Sequence, residues 1–362
     1  MVNKPYSTKK ISVLPPDNQV RHLILYGLIL LVILCFILDV ALGSVSIPLG
    51  EVAAILSGRG SENASWVYII EKIRLPKAIT AVLVGCGLSV SGLQMQTLFR
   101  NPLAGPSVLG ITSGASLGVA LVMLSTGNIT SLYTIKELGI SGSWLIVFAS
   151  TLGAGFIMLI IVAISARLKD NVIMLIVGVM IANITISIVS IWQYFSAPEQ
   201  IKEYLMWTFG SLGGVTETHL YVLTTVVAMG LLLSFSSSKI LDSLLLGENY
   251  ARSMGLTVNR ARILIISSTS ILAGGITAFC GPIGFIGIAV PHLARSLFQT
   301  SSHRTLIPYC CLTGTALMLI CDIIAQLPGS QTVLPINVIT ALIGSPVVIW
   351  IIVSKNNLKA SF

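Results

Sequence analysis

HLILYGLILLVILCFILDVAL, from His22 to Leu42, decides the fold. It is an apolar run of about 20 residues, long enough as a helix to cross the hydrocarbon core of a bilayer. Its one acid is Asp39, close to the far end. A polar, basic stretch reaching Arg21 precedes it. Ala41-Leu42-Gly43 has the small-x-small pattern of a cleavage site, yet the run is long for a signal-peptide core. The run is read as an uncleaved first membrane helix.

Outward from this run, apolar segments recur to the end of the chain. The expected spans are 22–42, 77–98, 107–125, 143–165, 171–193, 218–237, 263–280, 283–298, 305–326 and 335–353. The eighth is short, and Gly281, Pro282 and Gly284 interrupt its start. Such a break is tolerated in a membrane only where protein or water shields the backbone. Of 362 residues, 54% are hydrophobic and 9% charged, with mean hydropathy +0.93. Soluble domains carry about 25% charge. The fold class is therefore all-α, a polytopic membrane protein of about ten transmembrane helices. One transmembrane domain, 22–353, is expected between cytoplasmic tails 1–21 and 354–362. The segments from Arg74 to Gly118 and from Arg262 to Gly314 share a basic start, a small-residue helix, a polar break and a Gly-rich helix. In opposite orientation they would form an inverted repeat.

The net charge of +8 does not point to nucleic acid, because the charges sit in short segments between apolar runs. There they report topology. With the N-terminus inside, fifteen of the 21 Lys and Arg residues fall on the inner side. Both termini are expected in the cytoplasm, as is the segment 238–262. Segments 43–76 and 194–217 are expected outside, the latter carrying a short amphipathic helix from Pro198 to Phe209.

Gly110, Gly114 and Gly118 make two overlapping GxxxG steps, a pattern that lets helices approach closely in lipid. Their expected partner is a helix of the same chain. Gly85, Gly87, Ser91 and Gly92 read the same way. Asp39 and Asp322 are intramembrane acids and hence functional candidates. Both lie near enough to an interface to be merely solvated or paired. His292 has no carboxylate or Cys beside it and is read as structural. The six cysteines lie in apolar stretches without CxxC spacing and are read as small buried hydrophobes. No catalytic constellation, metal-ligand set or cofactor motif occurs. There is no GxxxxGK[ST] phosphate loop, so any ATP chemistry belongs to another chain.

The cytoplasmic segment 238–262 contains Leu246-Gly-Glu-Asn-Tyr-Ala-Arg-Ser-Met-Gly-Leu256. It reads as a helix to Met254 with Gly255 as a left-handed C-cap, carrying both charges, one aromatic and no strong apolar face. A permease powered from outside itself needs such a rigid element to fit a groove on its motor. An ion-gradient-coupled secondary transporter is the alternative class, which would require buried acids or broken helices at mid-membrane.

Four blocks resemble one family. They are Arg74-Leu-Pro-Lys77; Gly92-Leu-Gln-Met-Gln96 with Arg100-Asn-Pro-Leu-Ala104 and Val108-Leu-Gly-Ile-Thr-Ser-Gly-Ala115; Gly247 to Gly255; and Gly281-Pro-Ile-Gly-Phe-Ile-Gly287 with Pro291-His-Leu-Ala-Arg295, Asp322, Leu334-Pro-Ile336 and Gly344-Ser-Pro346. Their order and spacing are similar to FecCD-type permeases, importers of iron-siderophores, haem and cobalamin, over nearly the whole chain beyond about residue 40.

The resemblance implies ten helices per subunit, a second permease as homo- or heterodimer partner, two cytoplasmic ATPases, an extracytoplasmic substrate-binding protein and a place in the bacterial inner membrane. Gly247, Glu248, Ala251, Arg252 and Gly255 would seat on the ATPase. Arg74 and Lys77 match basic positions that dock the binding protein. Gln94, Gln96 and Asn101 are candidates for the translocation path, or else for hydrogen bonds between helices. Iron-siderophore is the first expected substrate, ahead of haem and cobalamin. Three positions depart from the pattern: Gln326 stands where an Arg is expected four residues after Asp322, Val333 where a Glu is common, and Asn337 where a Gly is common.

Overall fold

The computed structural model describes residues 18–125, 142–165, 167–168, 171–326 and 332–353. The expected terminal tails fall almost wholly outside these. In chain order the helices are α1 (Asn18–Ala41), α2 (Leu49–Leu56), α3 (Ala64–Tyr68), α4 (Leu75–Phe99), α5 (Ile111–Ser125), α6 (Gly142–Ser165), α7 (Asn171–Phe195) and α8 (Pro198–Thr208). They continue as α9 (Glu217–Ser236), α10 (Ser238–Leu245), α11 (Glu248–Ser253), α12 (Val258–Cys280), α13 (Ile286–Phe298), α14 (His303–Ala325) and α15 (Ile336–Val353). Among the described residues there is no strand.

Each of the ten expected spans is a helix. Seven are long and apolar enough to cross a membrane, while α5, α13 and α15 are shorter apolar helices. The bounds differ where charge hid a helix. α3 runs through a π-type turn, Ile69–Arg74, into α4, so that Ala64–Phe99 is one 36-residue helix. Lys72 and Arg74 closed the apolar window in sequence, but the helix runs through them. α12 likewise begins at Val258, so Arg260 and Arg262 lie inside it.

α4 is the axis of the bundle. In its most apolar window 78% is buried, against 22% for α1 and for α7, which present large apolar side chains at the surface. α4 packs on α14, α12, α13 and α9. Small residues make those approaches possible. A Cβ placed on Gly92 would sit 1.7 Å from the Gly287 carbonyl oxygen, and one on Gly85 would sit 2.4 Å from that of Gly314. The expected GxxxG pairing stays within the chain: a Cβ on Gly118 would meet the Ala149 oxygen of α6 at 1.9 Å. Two helices that open the similar segments, α4 and α12, lie against each other.

The break before α13 is real. Gly281 and Phe285 both have positive φ, 73° and 66°, and the chain between them is not helical. Protein shields this backbone, as bilayer depth demands. The Cys280 carbonyl accepts from the Ser211 N–H, the Phe209 carbonyl accepts from the Asn337 N–H, and the Asn337 side chain accepts from the Gly284 N–H. Asn337, one of the three departures, thus caps the break.

Candidate functional site

One end of the bundle gathers the C-termini of α4, α6 and α9 and the N-termini of α7, α12 and α14. There the segment expected as a cytoplasmic loop folds into α10 and α11. α11 is as expected in outline: Gly255 ends it with φ of 83°, and Ala251 is fully buried. Gly247 precedes it with φ of 110°. Glu248 is its first residue, where a carboxylate suits the helix dipole.

The apolar character of this segment differs from the expectation. Leu246, Tyr250 and Met254 are 64%, 48% and 65% exposed, beside the exposed Asn249, Arg252 and Ser253. Leu246 precedes the helix and Met254 follows it. Exposed apolar stripes of this kind mark contact surfaces.

Beneath the stripe the element is braced by buried polar contacts. Glu248 Oε1 lies 2.5 Å from Arg262 Nη2, and Glu248 Oε2 lies 3.5 Å from Arg252 Nη2. Arg262 is fully buried, and its Nη1 donates to the Leu168 carbonyl at 2.7 Å. Asp242 Oδ1, on α10, accepts from the His303 backbone N–H at 2.8 Å and sits 2.7 Å from its ring Nδ1. His303 Nε2 lies 2.8 Å from Thr97 Oγ1 of α4. Burial pushes the Asp242 carboxyl up, but the hydrogen bonds from His303 outweigh this and hold it below the usual carboxylate range.

The opposite end holds the basic positions of the Arg74 block. Arg74 turns inward, buried, and donates to the carbonyls of Val40, Ala41 and Val45. Lys77 Nζ lies 3.0 Å from Asp322 Oδ1. Gln326 Nε2 donates to Asp39 Oδ1 at 2.7 Å and to Asp322 Oδ2 at 3.2 Å. Of the two intramembrane acids, Asp322 is paired with a cation and Asp39 is held by an amide. Gln326, the second departure, holds both at once. Exposed on this rim is Lys72, 2.7 Å from Glu217.

Gln94 and Gln96 are fully buried between helices. Gln94 Nε2 donates to Ser268 Oγ at 3.2 Å and its Oε1 accepts from Thr269 at 3.0 Å, both on α12. Gln96 Nε2 donates to the Ile288 carbonyl at 3.0 Å, and its Oε1 accepts from Arg295 at 3.2 Å, both on α13. Asn101 accepts from the Leu103 N–H at 2.9 Å and shapes the turn after α4. His292 Nε2 lies 2.8 Å from the Pro102 carbonyl, in keeping with a structural role. A cleft of about 300 Å³ opens elsewhere, between α5, α7 and α8. It is lined by Thr112, Ser113, Ser116, Ser190, Gln193 and Tyr204 among others, with no charged side chain.

A model of the FecCD transport family matches residues 30–354. The chain belongs to the FecCD transport family. As a FecCD chain it is a multi-pass membrane permease. It is 34% identical over 329 residues to the vitamin B12 import system permease protein BtuC of Klebsiella pneumoniae subsp. pneumoniae, covering 91% of this chain and 92% of that one. It is 33% identical over 294 residues to the protein of the same name from Citrobacter koseri, covering 81% and 85%. A solved structure described as an inward-facing conformation of a metal-chelate type ABC transporter superposes with TM-score 0.76 at 27% identity, over 92% of the FecCD chain and 99% of the other. These relatives are transport permeases and not enzymes.

Sequence reasoning did not foresee that Leu246, Tyr250 and Met254 are the large apolar side chains this segment exposes. It also missed the engagement of Arg262 and His303. Nothing in spacing joins Glu248 to a residue fourteen positions on.

Proposed function

We propose that this chain is the membrane-spanning permease of a binding-protein-dependent ABC importer that carries a bulky metal chelate by alternating access. The observation that carries this reading is the exposed stripe Leu246, Tyr250 and Met254 on a short helix anchored from below. A surface of that kind suits a motor that hydrolyses ATP on a separate chain, and this chain has no phosphate loop of its own. The Lys and Arg distribution supports a cytoplasmic position for this end and for both termini. Gly247, Glu248, Ala251, Arg252 and Gly255 form the ATPase seat, with the stripe as its apolar part. A second permease subunit completes the pathway.

Substrate meets this chain on neutral groups. The hydroxyl and amide lining between α5, α7 and α8 can hydrogen-bond the amides, hydroxamates or hydroxyls of a chelate without fixing a charge. Gln94, Gln96 and Asn101 hold the surrounding helices in register. On the outer rim, Arg74 and Lys77 hold the surface on which the binding protein docks, and Lys72 supplies an exposed charge there. The names of the BtuC relatives make cobalamin the first ligand to try, and iron-siderophore, the substrate expected from sequence, the second.

Proteoliposomes holding the permease, its ATPase and its binding protein give the test. Cyanocobalamin and a ferric siderophore are supplied with and without ATP. Uptake of one chelate that requires both ATP and the binding protein is expected. Uptake driven by an ion gradient without ATP would overturn the reading in favour of a secondary transporter.

A further inference from the structure

We propose that Arg262 is a positioning residue of energy coupling, clamping the ATPase seat to the membrane helices so that both move as one body. The inference rests on the reading of 247–255 as that seat. α11 spans only Glu248–Ser253, and a helix this short has no stability of its own. An element meant to transmit force must be held by its neighbours. Ala251 is its one buried side chain, and a methyl group resists neither rotation nor withdrawal. The polar contacts supply what packing cannot.

Arg262 sits at the centre of them. One nitrogen of its guanidinium meets Glu248 of α11, another meets the Leu168 carbonyl beyond the end of α6, and its backbone belongs to α12. Three elements are joined through one planar group with no solvent exposure. An ammonium is a point charge and cannot reproduce that fork. The second tether is Asp242, which ties α10 to His303 and, through it, to Thr97 of α4. The exposed stripe therefore lies over an element tied to α4, α6, α12 and α14. Displacement of the stripe is delivered to the helices that surround α4.

Three variants test the clamp: Arg262→Lys, Glu248→Gln and the double variant Glu248→Gln/Arg262→Met. The double variant leaves no buried charge unpaired, so it folds if the single changes do not. Each is reconstituted with the ATPase and binding protein. Measured together are bound ATPase, ATP hydrolysed and chelate taken up. At least a tenfold fall in chelate transported per ATP is expected in the variants lacking the pair, and a smaller fall in Arg262→Lys, which lies outside the seat and keeps the ATPase bound. Parental transport per ATP in any folded variant lacking the ion pair overturns the clamp. So does release of the ATPase by Arg262→Lys, which changes no residue of the seat. Failure of the underlying reading looks different: Leu246→Ser/Met254→Ser would keep the ATPase bound and fully coupled.

Discussion

The two ends of the bundle bury similar charged groups and use them differently. At the Arg74 end, two buried acids, one buried amide and the partly exposed ammonium of Lys77 join the ends of α1, α4 and α14. At the α11 end, Glu248 with Arg262 and Asp242 with His303 join helices to an element that exposes Leu246, Tyr250 and Met254. The first set holds helices to one another. The second holds a contact surface to the helices. Only the second is placed to carry a signal, and the two should therefore fail differently when broken.

The largest effect belongs to the closed set. Lys77→Met takes from Asp322 the ammonium that pairs with it, while Gln326 still bridges it to Asp39. Breaking a buried pair this way costs about 3–5 kcal/mol, because an uncompensated charge remains. The melting temperature and yield of the detergent-purified protein should drop steeply. Adding Asp322→Asn should recover most of the loss. If Lys77→Met melts like the parent, the cluster is not a structural joint.

Gln326 gives the next effect. Gln326→Ala removes a donor shared by two buried acids, worth about 1–3 kcal/mol. Gln326→Arg, the residue expected in the family pattern, instead adds a second cation beside two carboxylates and should match or exceed parental stability. Denaturation of both variants in one detergent decides between these signs. Destabilisation by Arg would mean that the cluster is already neutral and has no room for charge.

The ten spans were legible because lipid imposes one rule, an apolar helix of bilayer length, that needs no knowledge of neighbours. The intrachain seam of Gly114 and Gly118 with α6 was legible for the same reason, since small residues at a spacing of four declare a close approach. What was not legible was the destination of each polar side chain. The family resemblance places Arg74 at the docking rim, and sequence does not show the three carbonyls of Val40, Ala41 and Val45 that surround it. Gln94 and Gln96 read as path candidates or as hydrogen bonds between helices, but sequence does not show that their partners lie on α12 and α13, far along the chain. Helix ends hid too, at Arg262, because a charge in a boundary window is scored as loop until its partner is known.

A smaller loss is expected at Asp242, which is partly exposed. Asp242→Asn should cost about 1 kcal/mol, the worth of a screened charge-assisted bond. The folded carboxyl is held below its ordinary range, so its contribution is fully present above the unfolded value of about 3.9 and disappears as pH falls through the lower folded value. The melting difference between parent and variant should therefore be constant from pH 8 to pH 5 and close only in stronger acid. A difference that closes between pH 8 and pH 6 would assign the dependence to the imidazole instead.

The smallest effect on stability should accompany the most selective effect on assembly. Leu246 and Met254 are about two-thirds exposed, and replacing both with serine removes little buried area and leaves no polar group unsatisfied. Surface changes of this type stay within about 0.5 kcal/mol of the parent. The same two side chains are the apolar part of the proposed ATPase seat. If a partner covers them, the double variant gives up most of that burial at about 25 cal/mol per Å² of apolar area. A tenfold weaker ATPase affinity corresponds to about 1.4 kcal/mol, which requires only about 60 Å² of lost apolar contact by that coefficient. Two large side chains can supply that. Binding of the purified ATPase to the permease in nanodiscs, measured beside a melting curve of the permease alone, separates the two quantities. Unchanged melting with at least tenfold weaker ATPase binding is expected. Unchanged binding would mean that the stripe faces lipid, and it would leave the two ends of the bundle with no difference in kind.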